Sequence, residues 1–152
     1  FTSRLAPLVP QGSVLATDIQ PEMLEILSRR IRKEGLGNVR TVLGTIDDTG
    51  LEPGSVDLIL LVDVYHEFDH PWEMLTSMHR ALKPGGFVAL AEYRANDPLV
   101  PIKPLHTMSS EQVMLEFELA GFTLQEVKTD LPWQRLFLFG LADDTGANQR
   151  RP

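Results

Sequence analysis

The segment Val56–Val62 constrains the fold most, because it is almost continuously apolar, with Asp57 as its one interruption. A short run of this kind is typical of a strand that is buried on both faces, as in the middle of a parallel sheet. We therefore expect a strand over 56–62 that ends at Asp63, with polar residues placed just beyond its carboxyl end.

Further strands alternate with helices along the chain. Pro21 and Pro71 stand where helices begin, and Gly35 stands where the first of them ends. Helical spacing predicts that Met23 and Trp72 belong to buried stripes. The expected strands are 13–18, 39–43, 56–62 and 87–93, followed by a hairpin of 122–129 and 133–141. Residues 94–108 are expected to form an irregular loop, and Ser109 to cap a last helix.

The length of 152 residues fits one domain, which we place at 1–141, with a polar tail at 142–152. Strand–helix alternation predicts the α/β class with a mostly parallel sheet.

The composition limits the classes of partner and the cellular compartment that we expect for this chain. The net charge is −7, there is no cysteine, and no apolar run reaches the roughly 18 residues of a membrane span. We therefore expect no nucleic acid partner, no membrane span and a reducing, cytoplasmic compartment.

Asp18 follows the first strand and precedes a helix. An ionised carboxylate accepts hydrogen bonds at two oxygens, so it suits the two hydroxyls of a ribose. The alternative is that Asp18 only caps the helix that follows.

Several short motifs occur in a recognisable order. They are Asp18 after a strand, Gly44-Thr45-Ile46, Gly54-Ser55-Val56-Asp57-Leu58, Leu82-Lys83-Pro84-Gly85-Gly86 and the closing hairpin. In this order the chain resembles the class I S-adenosylmethionine-dependent methyltransferases of the type 11/25 group. The resemblance implies a Rossmann-like sheet with helices on both faces and a C-terminal antiparallel hairpin.

The same resemblance implies a cofactor site for S-adenosylmethionine. Asp18 matches the ribose-binding acid, Ile19 and Ile46 match positions beside the adenine, and Thr45 stands where many relatives carry Asp. Val62 and Asp63 match the segment near the methionine part of the cofactor.

One family feature is absent, because the sequence contains no G-x-G-x-G stretch. In the family this loop and the first strand precede a helix like the one expected at the start of the chain. We therefore expect the first strand to be missing, the sheet to have unpaired edges, and cofactor binding by this chain to be weak or absent. Exposed edges also suggest a homodimer.

His66 lies just beyond the expected central strand and is the candidate general base for removing a proton from the methyl acceptor. The alternative is that His66 packs against the following helix. His106 in the long loop is a candidate lid residue, and Glu92, Tyr93 and Arg94 are candidate acceptor contacts. His66 and His70 have His-x-x-x-His spacing, but both precede the helix expected to begin at Pro71, so no metal site is expected.

The favoured function is methyl transfer to a small-molecule acceptor, with activity of this chain uncertain. Two alternatives stay open: a non-catalytic binding module on the same fold, and a nicotinamide-dependent oxidoreductase. The sequence does not identify the acceptor.

Overall fold

The computed structural model describes residues 1–142. Apart from Ala142, the predicted polar tail lies outside the described residues. The chain separates into two compact units, residues 1–51 and the residues from Glu52 onward.

The first unit contains one pair of parallel strands. Its elements are α1 (Thr2–Leu5), a 3-10 turn (Ala6–Leu8), β1 (Val14–Asp18), α2 (Pro21–Glu34) and β2 (Val39–Leu43). Val14 lies opposite Val39 and Asp18 lies opposite Leu43. Because the two strands are parallel, Asp18 and the loop after Leu43 share one edge of this small sheet.

Helix α2 begins at Pro21 and ends at Gly35, whose φ of 66° is in the left-handed region. Both ends agree with the sequence prediction. The predicted buried stripe was wrong at Met23, which is 47% exposed. The other two residues of the predicted stripe, Leu27 and Ile31, are half-buried, and Leu24 joins them in place of Met23.

The second unit carries a four-stranded sheet in the order β3-β4-β6-β5. Its elements are β3 (Val56–Val62), a 3-10 turn (Tyr65–Glu67), α3 (Pro71–Ala81), β4 (Leu82–Tyr93), a 3-10 turn (Pro104–His106), α4 (Ser110–Leu119), β5 (Phe122–Lys128) and β6 (Gln134–Leu141). Strands β3 and β4 are parallel. Strand β6 runs antiparallel to both β4 and β5, so the predicted closing hairpin is confirmed.

Strand β3 is an edge strand of this sheet, and its burial alternates. Ile59 and Leu61 are buried, whereas Leu58 is 46% exposed. The prediction of burial on both faces was therefore wrong. Ile59 and Leu61 pack into the apolar core of residues 52–142, and the half-buried Val56 packs against it.

Strand β4 begins at Leu82, earlier than the predicted start at Phe87. The segment Pro84-Gly85-Gly86 therefore belongs to the strand and does not end the helix. A Cβ on Gly86 would lie 2.9 Å from the Lys83 carbonyl oxygen and 3.1 Å from that of Asp57, so the close approach of these backbones requires glycine.

The core of the second unit is rich in aromatic rings. Phe117 of α4 stacks on Phe139 of β6 with ring centroids 4.1 Å apart. On α3, Leu75 and Met78 are buried, but Trp72, which was predicted to lie on the buried stripe, is 54% exposed. This core holds β3, β4 and the turn between β3 and α3 in place.

Parallel strand pairs, intervening helices and the closing antiparallel hairpin confirm the predicted Rossmann-like α/β class. Among residues 1–142, no helix has the length and apolar character needed to traverse a bilayer.

Candidate active site

The turn after β3 places His66 at the carboxyl end of a parallel strand pair. Asp63 has a φ of 50° and turns the chain out of the strand. Its backbone N–H donates to the Ala91 carbonyl of β4 at 2.9 Å. The 3-10 turn Tyr65–Glu67 follows directly, so His66 is held close to the end of β4.

Glu92, near the end of β4, orients the imidazole of His66. Its Oε2 lies 2.8 Å from His66 Nδ1. Its Oε1 accepts the backbone N–H of Tyr65 at 2.8 Å and that of His66 at 3.3 Å. The residue is only 2% exposed, and these bonds satisfy a carboxylate that would otherwise be costly to bury.

This contact favours one tautomer of His66 when Glu92 is ionised. An ionised carboxylate only accepts hydrogen bonds, so Nδ1 of His66 carries hydrogen and Nε2 of the neutral ring presents a lone pair. The His66 side chain is 6% exposed, so the imidazole is both oriented and nearly buried.

His106 lies on the other side of His66. Its Nδ1 is 3.2 Å from His66 Nε2, and the two rings meet edge to face with centroids 5.3 Å apart. Glu67 Oε1 lies 3.9 Å from His66 Nε2 and 3.8 Å from His106 Nδ1. The His106 and Glu67 side chains are 43% and 60% exposed, so this side of the cluster is open to solvent.

Tyr65 anchors the turn that carries His66. Its hydroxyl donates to Glu116 Oε2 at 2.6 Å, and its ring lies 5.3 Å from that of Phe117. Burial, followed by the hydrogen bond and the negative charge of Glu116, raises the pKa of Tyr65 far above its usual range. Tyr65 therefore stays protonated and has a structural role beside His66.

Asp63 has one carboxylate oxygen in contact with the protein and one without. Its Oδ2 accepts from Gln134 Nε2 at 3.2 Å. Its Oδ1 is buried and has no hydrogen-bond partner among the described residues. A buried, unpaired carboxylate oxygen is costly, so this position suits the donor groups of a ligand.

The connection over 94–108 is more ordered than the irregular loop predicted. Arg94 pairs with Met108 in an isolated bridge, and a 3-10 turn carries His106. Arg94 also binds Asp97 Oδ2 at 2.9 Å and the Pro132 carbonyl at 2.8 Å, so its guanidinium holds the connection in place. The hydrogen bond from the backbone N–H of Leu99 lowers the pKa of Asp97 most, and the hydrogen bond from Arg94 lowers it further. This connection and the start of α4 enclose an open cavity of about 570 Å³.

In the first unit, Asp18 ends β1 and is half-buried. Its Oδ1 accepts the backbone N–H of Gln20 at 2.8 Å. Gln20 is the residue before α2, and no side chain caps the first turn of that helix. Asp18 therefore shapes the strand-to-helix turn and does not act as the helix cap.

The loop after β2 shares the sheet edge with Asp18. Thr45 Oγ1 donates to Asp47 Oδ1 at 2.5 Å. Ile46 is 52% exposed, and Ile19, next to Asp18, is 50% exposed. These two isoleucines present apolar surface without a protein cover, which suits the flat face of an aromatic ligand.

The structure thus divides the predicted site residues between the two units. Asp18, Ile19, Thr45 and Ile46 belong to residues 1–51, and Val62, Asp63 and His66 to the second unit. The sequence suggested Glu92 and His106 only as separate candidates and did not predict that both contact His66. The available signal was that Glu92, like Asp63, stands at the carboxyl end of a predicted parallel strand.

The sequence matches a family model and curated proteins that all carry the description methyltransferase. A family model described as a methyltransferase domain matches residues 1–90. The ubiquinone/menaquinone biosynthesis C-methyltransferase of Coxiella burnetii is 29% identical over 116 residues, which are 75% of this chain and 46% of that protein. The demethylmenaquinone methyltransferase of Geobacillus kaustophilus is 28% identical over 83 residues, covering 55% of this chain and 36% of that protein.

A solved structure shows the same fold. The crystal structure of a SAM-dependent methyltransferase from Aquifex aeolicus superimposes with a TM-score of 0.84 and 25% identity, over 90% of this chain and 73% of that one. The chain spans about half the length or less of the curated relatives described here.

Proposed function

Because the chain belongs to the methyltransferase family whose domain model matches residues 1–90, we propose that it transfers a methyl group from S-adenosylmethionine to a small-molecule acceptor. The observation that carries this proposal is the pair formed by His66 and Glu92. It presents an oriented imidazole at the carboxyl end of a parallel strand, which is where open α/β sheets bind ligands.

Residues of the first unit fit the nucleoside part of the cofactor. The bond from Gln20 uses one acceptor position of Asp18, and a carboxylate has about four, so positions remain for two ribose hydroxyls. The exposed side chains of Ile19 and Ile46 suit the adenine faces. Thr45 donates its hydroxyl hydrogen to Asp47 Oδ1 and accepts the backbone N–H of Asp47 at 3.5 Å, so one oxygen lone pair remains for an adenine amine.

In the second unit, Val62 and Asp63 fit the methionine part. The unpaired, buried Oδ1 of Asp63 suits a cationic amino group, because an opposite charge and a hydrogen bond would both compensate its burial. When bound, S-adenosylmethionine supplies a methyl group on a positively charged sulfur.

His66 is proposed to accept the proton that the methyl acceptor loses. Glu92 keeps hydrogen on Nδ1, so Nε2 is the proton-accepting atom, and the same carboxylate stabilises the imidazolium that results. His106, whose Nδ1 lies 3.2 Å from that atom and whose side chain reaches solvent, is placed to pass the proton outward.

The first test is titration calorimetry of S-adenosylmethionine and S-adenosylhomocysteine into the 152-residue chain. We expect weak, measurable binding that falls about tenfold in Asp18→Ala, the loss of roughly one charge-assisted hydrogen bond. Glu22→Gln, which removes another exposed carboxylate of the same unit, is the matched control. Equal affinity in Asp18→Ala and the unchanged chain would contradict the assigned ribose contact.

Activity is tested with a labelled methyl donor and a panel of hydroxyl, amine and activated-carbon acceptors. The panel includes a demethylated quinol, because the relatives described above carry names from ubiquinone and menaquinone synthesis. Transfer to any member that is lost in His66→Gln supports the proposal. Binding of cofactor without transfer to any acceptor would favour a non-catalytic module.

Two further proposals concern location and assembly. We propose a cytoplasmic location because the sequence contains no cysteine, and cell fractionation tests this.

We propose self-association because β3 lies at the edge of its sheet, and gel filtration with multi-angle light scattering tests this. A monomer at all concentrations would contradict the second.

A further inference from the structure

We propose that His66, Glu67 and His106 form a binding site for a divalent transition-metal ion of the zinc type. The site offers two imidazole nitrogens and one carboxylate oxygen, and these ligand atoms all lie within 4.8 Å of one another. Two histidines and one glutamate, with a fourth position left open, form a donor set that zinc accepts in enzymes.

The distances suit one ion. Zinc bonds to nitrogen and oxygen at about 2.0–2.2 Å, so two ligands of a tetrahedral ion lie about 3.4 Å apart. The two nitrogens, His66 Nε2 and His106 Nδ1, are 3.2 Å apart. Glu67 Oε1 lies 3.9 Å and 3.8 Å from them, and a small rotation of this exposed side chain brings its oxygen to bonding distance.

Glu92 supplies the second feature of a metal site. A histidine that binds a metal usually donates its other ring N–H to a carboxylate or carbonyl, which fixes the ring and makes the ligand nitrogen more basic. His66 donates in this way to Glu92 at 2.8 Å. Glu92 is held in turn by the backbone N–H groups of Tyr65 and His66. The first ligand is therefore preorganised before any ion arrives.

Access and charge also suit an ion. The His66 side chain is only 6% exposed, but Glu67 and His106 are open to solvent, so an ion enters without disturbing the core. Glu67 and the nearby Glu92 supply negative charge.

A simpler interpretation is a direct hydrogen bond from His106 Nδ1–H to His66 Nε2. That bond needs hydrogen on Nδ1 of His106, whereas metal binding needs it on Nε2, so the two arrangements differ in one tautomer. The hydrogen bond and the metal site also predict different measurements. Only the metal site predicts that each chain takes up one zinc ion and that this uptake depends on Glu67.

The test uses the complete 152-residue chain after dialysis against a chelator. Zinc titration calorimetry is expected to show one ion per chain, and cobalt(II) is expected to give the strong visible absorption of a four-coordinate site. His106→Gln and Glu67→Gln are each expected to weaken zinc binding by about tenfold or more. Both side chains are partly or largely exposed, so these variants are expected to fold, which circular dichroism checks.

His70→Gln is the matched control, because it removes an exposed histidine outside the cluster. Unchanged zinc affinity in His70→Gln, with losses in the two cluster variants, supports the site. No zinc uptake, or equal uptake in His106→Gln, would overturn it. The readout is zinc uptake alone and needs no methyl transfer. Zinc on His66 Nε2 would occupy the lone pair proposed to accept a proton, so bound zinc is expected to inhibit transfer.

Discussion

His66 and Glu92 are joined twice: Nδ1 of the imidazole lies 2.8 Å from Oε2 of the carboxylate, and the backbone N–H of His66 donates to Oε1 at 3.3 Å. Glu92 lies in β4, and His66 lies in the 3-10 turn that follows the adjacent parallel strand β3, 26 positions away in the chain. One buried carboxylate therefore fixes both the backbone and the ring of the residue proposed to accept a proton.

Replacing His66 with Gln is expected to lower kcat for methyl transfer by about 10²–10⁴-fold, the usual contribution of a general base. KM for S-adenosylmethionine is expected to change little, because His66 is proposed to act on the acceptor. Steady-state kinetics with His70→Gln as control measures this. A loss that appears only in KM would show that His66 binds cofactor instead.

Replacing Glu92 with Gln is expected to lower both stability and activity. The amide oxygen can still accept the backbone N–H groups of Tyr65 and His66, but the N–H₂ group then faces Nδ1 of His66. The ring must move its hydrogen to Nε2, which removes the proposed proton-accepting lone pair, or leave a buried N–H unpaired at about 1–3 kcal/mol. Urea denaturation measures the stability loss. The pH profile of kcat is expected to shift as well, because His66 loses its fixed proton; an unchanged profile would reduce Glu92 to a structural role.

The sequence predicted where helices and strands begin and end better than it predicted their burial and their neighbours in the sheet. Pro21, Gly35 and Ser109 mark helix ends by local chemistry, and Ser109 Oγ does accept the N–H of Gln112 at 3.1 Å. Local chemistry does not say how many neighbours a strand has. Val56–Val62 therefore indicated a strand correctly, but its place at a sheet edge depends on the rest of the sheet.

The candidate site shows the same limit. His66 was predictable because it follows a strand end, and strand ends in parallel sheets collect functional side chains. Its contact with His106 was not, because 40 positions separate the two residues and His106 stands in the connection over 94–108, which has no periodic pattern. A search for metal ligands at helical spacing misses this cluster for that reason.

Tyr65 is expected to make stability depend on pH in the alkaline range. Burial and Glu116 raise its pKa in the folded protein above the ordinary value of 10.0, so the unfolded chain loses this proton first. The stabilisation is complete below about pH 10 and is lost as the pH rises toward the folded pKa, by about 1.4 kcal/mol per pH unit. Urea denaturation between pH 9 and about 11 measures the slope. Tyr65→Phe is expected to remove most of this dependence of the free energy of unfolding on pH. Tyr93→Phe, which changes the only other tyrosine in the sequence, is expected to leave the slope unchanged.

Asp63→Asn separates the charge of Asp63 from its backbone role. Asparagine tolerates the φ of 50° better than most residues, and its amide oxygen still accepts from Gln134, so the turn after β3 is expected to form. The charge that we propose for the amino group of S-adenosylmethionine is lost, so cofactor affinity is expected to fall about tenfold. Calorimetry measures the affinity, with Asp57→Asn as control, because Asp57 pairs with Lys83 on the surface. Unchanged affinity in Asp63→Asn would mean that its unpaired oxygen serves another ligand.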